Sequence, residues 1–191
     1  YEYFTYGVSP LSPGSFADAT PHTISLFSLS KAYGFAGWRI GYAVYPEGMH
    51  AAMVKCQDTI LINPAMASQV GAEAALKVGK GYCEPYVREL ASIRDIVFSE
   101  LNTLAPLATV PAADGAFYAL LRVQTDMKPL ALAERLIHEH KVAVIPGDAF
   151  GMTDGCYFRV AYGALQKATV AEGIGRLVQG LRVILAEPGR T

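Results

Sequence analysis

The sequence predicts a chain of mixed strands and helices, of α/β or α+β class, with a small C-terminal unit after residue 105. Three observations carry that expectation. Two short segments, 22–30 and 38–45, have the alternation or apolar content of strands. Apolar residues recur at intervals of three and four in several later segments. Hydrophobic residues make up 52% of the 191 residues and charged ones 17%, which supplies a sizeable core.

A Pro/Ser/Gly-rich loop occupies residues 7–15. In 22–30, Ile24, Leu26, Ser28 and Ser30 alternate with Ser25, Phe27 and Leu29, and apolar residues on both faces predict a strand inside a covered sheet. A glycine-punctuated loop over 32–37 leads to a second strand at 38–45, closed by Pro46. The segment from 47 to about 63 suits a helix that Pro64 ends or restarts, and a further helix reaches about residue 78. Tyr82, Tyr86, Leu90, Ile93, Val97, Leu101 and Leu104 form the strongest helical stripe.

Pro106 and Pro111 break that pattern, and 115–123 is rich in strand formers. The domain change is therefore expected at about residue 104, giving units 1–104 and 105–191. In the second, Pro129 opens a helix with the stripe Leu130, Ala133, Leu136, Ile137 and His140. Residues 142–145 and 157–162 read as strands separated by a turn at 146–148. Val170, Ile174, Leu177, Val178, Leu181, Ile184 and Leu185 mark a final amphipathic helix.

Composition narrows the function classes. Sixteen Lys+Arg against 17 Asp+Glu, with no basic run, argues against an electrostatic nucleic-acid or membrane-surface binder. No apolar stretch approaches the roughly 20 residues of a membrane-spanning helix. Cys56, Cys83 and Cys156 are odd in number and lack any CxxC spacing, which fits reduced thiols in a cytoplasmic protein better than disulfides or zinc. The charged fraction is below the usual quarter or so, which points to a surface covered by a partner subunit. The opening Tyr1-Glu2-Tyr3-Phe4 has neither Met nor an element start, so the chain reads as cut into, and targeting is not judged from it.

The informative run is Ser28-Leu29-Ser30-Lys31-Ala32-Tyr33-Gly34-Phe35-Ala36-Gly37-Trp38-Arg39-Ile40-Gly41. Lys31 is expected just past the end of a buried strand, where an ammonium must shed water at a cost. Desolvation and a nearby cation favour the neutral, nucleophilic amine needed for a Schiff base, and Arg39 supplies the cation. Hydroxyls at Ser28 and Ser30, the arginine and the amine together suit a phosphorylated aldehyde, and Gly34, Gly37 and Gly41 let the backbone pass close. Taken singly, each residue also reads as a solvated loop or strand-end residue; it is the ordered set that points to chemistry.

This run resembles the class I and II aminotransferases of fold type I, pyridoxal-phosphate (PLP) enzymes with a Ser-x-Ser-Lys element followed by Gly-x-Arg-x-Gly. The runs Gly115-Ala116-Phe117-Tyr118, Pro146-Gly147-Asp148-Ala149-Phe150-Gly151 and Phe158-Arg159-Val160-Ala161-Tyr162 resemble three later family elements in order. The resemblance implies the C-terminal part of the PLP-binding large domain followed by a small α+β domain. It implies that Lys31 forms the Schiff base with PLP and then serves as the proton-moving base. It further implies that Ser28, Ser30 and Arg39 hold the phosphate, that Tyr1 hydrogen-bonds the cofactor 3-oxygen, and that Arg159 takes the substrate α-carboxylate in a two-pronged fork. The expected reaction moves an amino group between an amino acid and a 2-oxo acid in a homodimer.

The aspartate that the family places three residues before its tyrosine, and its upstream phosphate loop, lie outside the sequence, so this portion alone is expected to be inactive. Its first 60 or so residues are expected to expose apolar faces and to self-associate or be weakly ordered, while 105–191 is expected to fold as the more self-sufficient unit. A lyase or synthase of the same fold, and a non-catalytic truncated interaction domain, are the competing readings. No metal site is expected, since His138 and His140 stand two apart on a helix and splay to different faces.

Overall fold

The computed structural model describes residues 3–163 and 166–187. The chain divides into two compact units, one ending at Val87 and the other beginning at Arg88.

In the first unit, β1 (Ser25–Ser28) runs into a one-turn helix α1 (Leu29–Ala32), and β2 (Gly41–Val44) returns antiparallel to β1 with Ser28 opposite Gly41. Among the described residues these two strands form a sheet of their own. Helices α2 (His50–Ile60) and α3 (Met66–Val78) follow, separated by Pro64 as the sequence predicts. The core here is small. Leu29, Ala32, Tyr33 and Ala72 are buried, with Tyr3, Phe4, Phe35, Ile40 and Ala75 packed around them. Helix α2 buries no residue, and Leu26, Val44 and Ile60 are exposed. The sheet covered on both faces that the strand pattern predicts is thus not present among the described residues.

Helix α4 (Glu84–Asn102) starts just before the division. Its buried stripe, Leu90, Ile93, Val97 and Leu101, lies in the second unit, while Tyr82 and Tyr86 at the head of the expected stripe are exposed. The second unit holds an antiparallel sheet in the order β3 (Ala108–Thr109), β4 (Tyr118–Val123), β6 (Cys156–Ala161), β5 (Ile145–Pro146). Helix α5 (Pro129–His140) packs on β5, β6 and α6 (Lys167–Ala186). Strand alternation buries Ala119, Leu121, Val123, Cys156, Phe158 and Val160 on one face and turns Tyr118, Leu120, Arg122, Tyr157 and Arg159 to the other. Apart from Leu29, the largest fully buried side chains all belong to this unit.

The α6 stripe matches the predicted one except at Leu185, which is half-buried. That of α5 is rotated. Leu132, Ala133 and Leu136 are buried, whereas Leu130 and Ile137, expected inside, are exposed. The run Leu130-Ala131-Leu132-Ala133 offers apolar side chains on every side, so periodicity alone does not set the buried face.

Candidate active site

Strand β1 ends where Ser28 leaves the extended conformation and caps α1. Its Oγ accepts the backbone N–H of Ser30 at 3.2 Å and keeps its own proton free to donate. Leu29 anchors the turn in the small core, and Ala32 and Tyr33, three and four residues on, face the same way. Lys31, two after Leu29, is turned outward and exposed, with Ser30 half-buried beside it. The lysine therefore stands at a strand end as expected, but the strand is not buried and neither is the amine. A helical turn begins at Leu29, where the alternation of the sequence predicts that the strand continues.

Arg39 is placed by the other strand. Since Ser28 pairs with Gly41, the loop carrying Lys31 and Arg39 leaves and re-enters the sheet at one end. Arg39 adopts a left-handed conformation (φ 51°), and its Nη1 donates to the carbonyl of Ala36 at 2.6 Å. Among the described residues it has no carboxylate partner, so its charge is balanced by no acidic side chain there. Beneath the loop, Phe35 stacks on Trp38 at 5.1 Å, and the Ser68 hydroxyl donates to the Trp38 carbonyl at 3.0 Å. At Gly41 a Cβ would come within 2.5 Å of the Phe27 carbonyl oxygen, so this strand start admits only glycine. Tyr1 lies outside the described residues.

Exposed hydroxyl, amine and guanidinium groups at one sheet end form a donor set suited to a phosphorylated aldehyde. The hydroxyls and guanidinium address phosphate oxygens and the amine a carbonyl carbon. A groove of about 650 Å³ in this unit lies elsewhere, between β2 and α2, and includes neither Lys31 nor Arg39.

In the second unit Arg159 occupies the open face of β6, opposite Leu120 and Ile145, while its neighbours Phe158 and Val160 are buried. Strand alternation in the sequence predicts this placement. Its guanidinium carbon lies 4.6 Å from the ring centre of Phe150 and 5.5 Å from that of Tyr118. Its Nε is buried with no hydrogen-bond partner among the described residues. Both rings lie in the runs 115–118 and 146–151, where the sequence alone assigns them no role. They come from separate segments, β4 and the turn before Gly151, so no spacing announces them. Nearby, Cys156 has its thiol pushed up to about 11, chiefly by burial and secondly by the charge of Asp148. His138 is exposed and His140 half-buried, and no metal-binding group of three His, Cys, Asp or Glu occurs among the described residues.

The profile of the family "Aminotransferase class I and II" matches residues 1–177. An aromatic aminotransferase of Arabidopsis thaliana is 35% identical over 97% of this chain and 46% of its own length. An aspartate aminotransferase of Rhizobium meliloti is 31% identical over 93% and 45%. The crystal structure of an aromatic aminotransferase from Pyrococcus horikoshii superposes with a TM-score of 0.87 at 28% identity, over 97% of this chain and 50% of that one. The chain thus spans about half the length of the relatives it matches. On a match of this extent, in sequence and in backbone, the chain belongs to the class I and II aminotransferase family and carries part of its fold type I architecture.

Proposed function

We propose that the whole protein is a PLP-dependent aminotransferase that moves an amino group between an amino acid and a 2-oxo acid. The observation that carries this reading is the grouping of Lys31, Ser28 and Arg39 at one end of the β1–β2 sheet, in a chain whose relatives are named aminotransferases. PLP, when bound, supplies the electron sink that stabilises charge at the substrate Cα. Ser28 and Ser30 would donate to the phosphate and Arg39 would neutralise it. Lys31 would hold the aldehyde carbon and, as a free amine, would carry the proton at the substrate Cα. Tyr1 would donate to the 3-oxygen. Arg159 binds the α-carboxylate, and its planar fork makes lysine a poor substitute.

The first unit's exposed Leu26, Ile60, Leu61 and Ile62 support a homodimer whose contacts, with the rest of the protein, cover them. Free cysteines at 56, 83 and 156 support a cytoplasmic, reducing setting. No helix among the described residues is long and apolar enough to cross a membrane.

Borohydride reduction of the PLP-loaded protein, followed by peptide mapping, tests the assignment. The label is expected on Lys31; a label on Lys55, Lys77 or another lysine refutes it. Incubation with an amino acid and a 2-oxo acid tests the reaction. Exchange of the amino group supports transamination, whereas elimination without use of the oxo acid points to lyase chemistry.

A further inference from the structure

Resting on the reading of Arg159 as the carboxylate receptor, we infer that Phe150, with Tyr118, is the positioning residue that aims it. Among the described residues no hydrogen bond or ion pair holds the Arg159 guanidinium. What holds it are two rings, both within the roughly 6 Å over which a cation and an aromatic face attract. Burial closes the Nε–H to any ligand. A carboxylate therefore cannot use the side-on fork of Nε with one Nη and must approach end-on, across Nη1 and Nη2. The rings also keep water from the faces of the cation, which strengthens its pairing with a carboxylate.

Phe150 is delivered by a turn whose geometry leaves it little freedom. The 3-10 turn Gly147–Phe150 closes on Gly151, at φ 79°, whose N–H reaches the carbonyls of Asp148 and Gly147. The Asp148 carboxylate accepts the Ala149 N–H at 3.0 Å. The turn lies flat on β6. A Cβ on residue 147 would sit 2.6 Å from the Tyr157 Cβ and 3.1 Å from its carbonyl oxygen, so only glycine allows this approach. Tyr157 precedes Arg159 by two on the same strand face, and Ile145, just before the turn, pairs directly with Arg159. The backbone that carries the ring and the backbone that carries the guanidinium are thus locked together.

The test uses the full-length protein and 3-phenylpropanoate, a monocarboxylate with no amino group to react with the cofactor. Side-chain NMR of arginine Nε–H is expected to find the Arg159 proton shifted by ring current and slow to exchange. Arg159→Lys should abolish 3-phenylpropanoate binding. Phe150→Leu should weaken it by about two- to thirtyfold, the span of a cation–π contact, and raise the amino-acid KM by a similar factor with kcat little changed. Phe150→Tyr should restore both affinity and shift. Phe150 is half exposed, so these changes leave the core intact. If Arg159→Lys abolishes binding while Phe150→Leu leaves affinity and the Nε–H shift unchanged, the positioning role is overturned and the functional reading stands. If Arg159→Lys leaves binding unchanged, both fall.

Discussion

Helix α6 contains three glycines that should respond in opposite directions to one substitution. In the interior of a helix, Gly→Ala stabilises by about 1 kcal/mol, because alanine has less backbone entropy to lose. At Gly173 and Gly175 an added Cβ meets nothing within 4 Å, so each alanine variant should gain close to that amount. Gly180 is buried where α6 meets α5. There the Cβ would lie 2.8 Å from the His140 Cγ and 2.9 Å from the Leu136 Cδ2. The leucine methyl can swing away, but the His140 Cγ is the root of a half-buried ring, and moving it means moving the helix. Overpacking of this kind costs about 1–3 kcal/mol. Subtracting the propensity gain leaves Gly180→Ala neutral to about 2 kcal/mol destabilising, and separates it from Gly175→Ala by about 1–3 kcal/mol. Urea titration followed by helical circular dichroism resolves this, since 1 kcal/mol moves a midpoint by about 0.3–1 M. A Gly180→Ala midpoint raised as far as that of Gly175→Ala would refute the close approach of the two helices.

Other expectations follow from single observations. The raised Cys156 thiol has a definite sign. Below its ordinary value of 9.0 both folded and unfolded chains hold the proton, and between there and about 11 the unfolded chain ionises first, so stability falls with rising pH over that window. Urea midpoints measured from pH 8 to 10.5 should converge for wild type and Cys156→Ala as the pH rises; parallel curves would rule the effect out. A maleimide should label exposed Cys56 well before buried Cys83 and Cys156 in the native chain, and equal rates would contradict the burial. The 191-residue chain should self-associate through its first unit, and Leu26→Lys, at a residue 78% exposed, should lower its light scattering; an unassociated wild-type chain would refute this.

Much of the second unit was legible because one face of each element is buried. The α6 stripe and the outward position of Arg159 both follow from periodicity, with solvent or a ligand on one side and core on the other. The two-residue strand β3 leaves almost no trace in sequence, since Ala108–Thr109 lies between prolines and carries no alternation, and of the strand expected at 142–145 only Ile145 pairs, in β5. In the first unit the strand expected before Lys31 gives way to a helical turn for a physical reason. Leu29 satisfies both a period of two with Ser25 and Phe27 and a period of three to four with Ala32 and Tyr33, and only the Ser28 cap decides between them. The order of Ser28, Lys31 and Arg39 was readable; their sharing of one sheet end depends on the Ser28–Gly41 register.

The shape of the four-stranded sheet bears on how the protein fails when stressed. Its two central strands are six residues long, but the outermost ones, β3 and β5, are two each, and β5 ends in Pro146, which has no N–H to offer. A neighbouring molecule seeking to extend that sheet finds almost no ladder to continue, so it is a poor template for cross-β growth. Strands β1 and β2 have no such termination: each is four residues long, and no further strand flanks either among the described residues. Fibrillar polymers of this chain should therefore grow from the segment that carries Lys31, and a proline substituted there at an outward-facing N–H should slow their seeding without touching the second sheet.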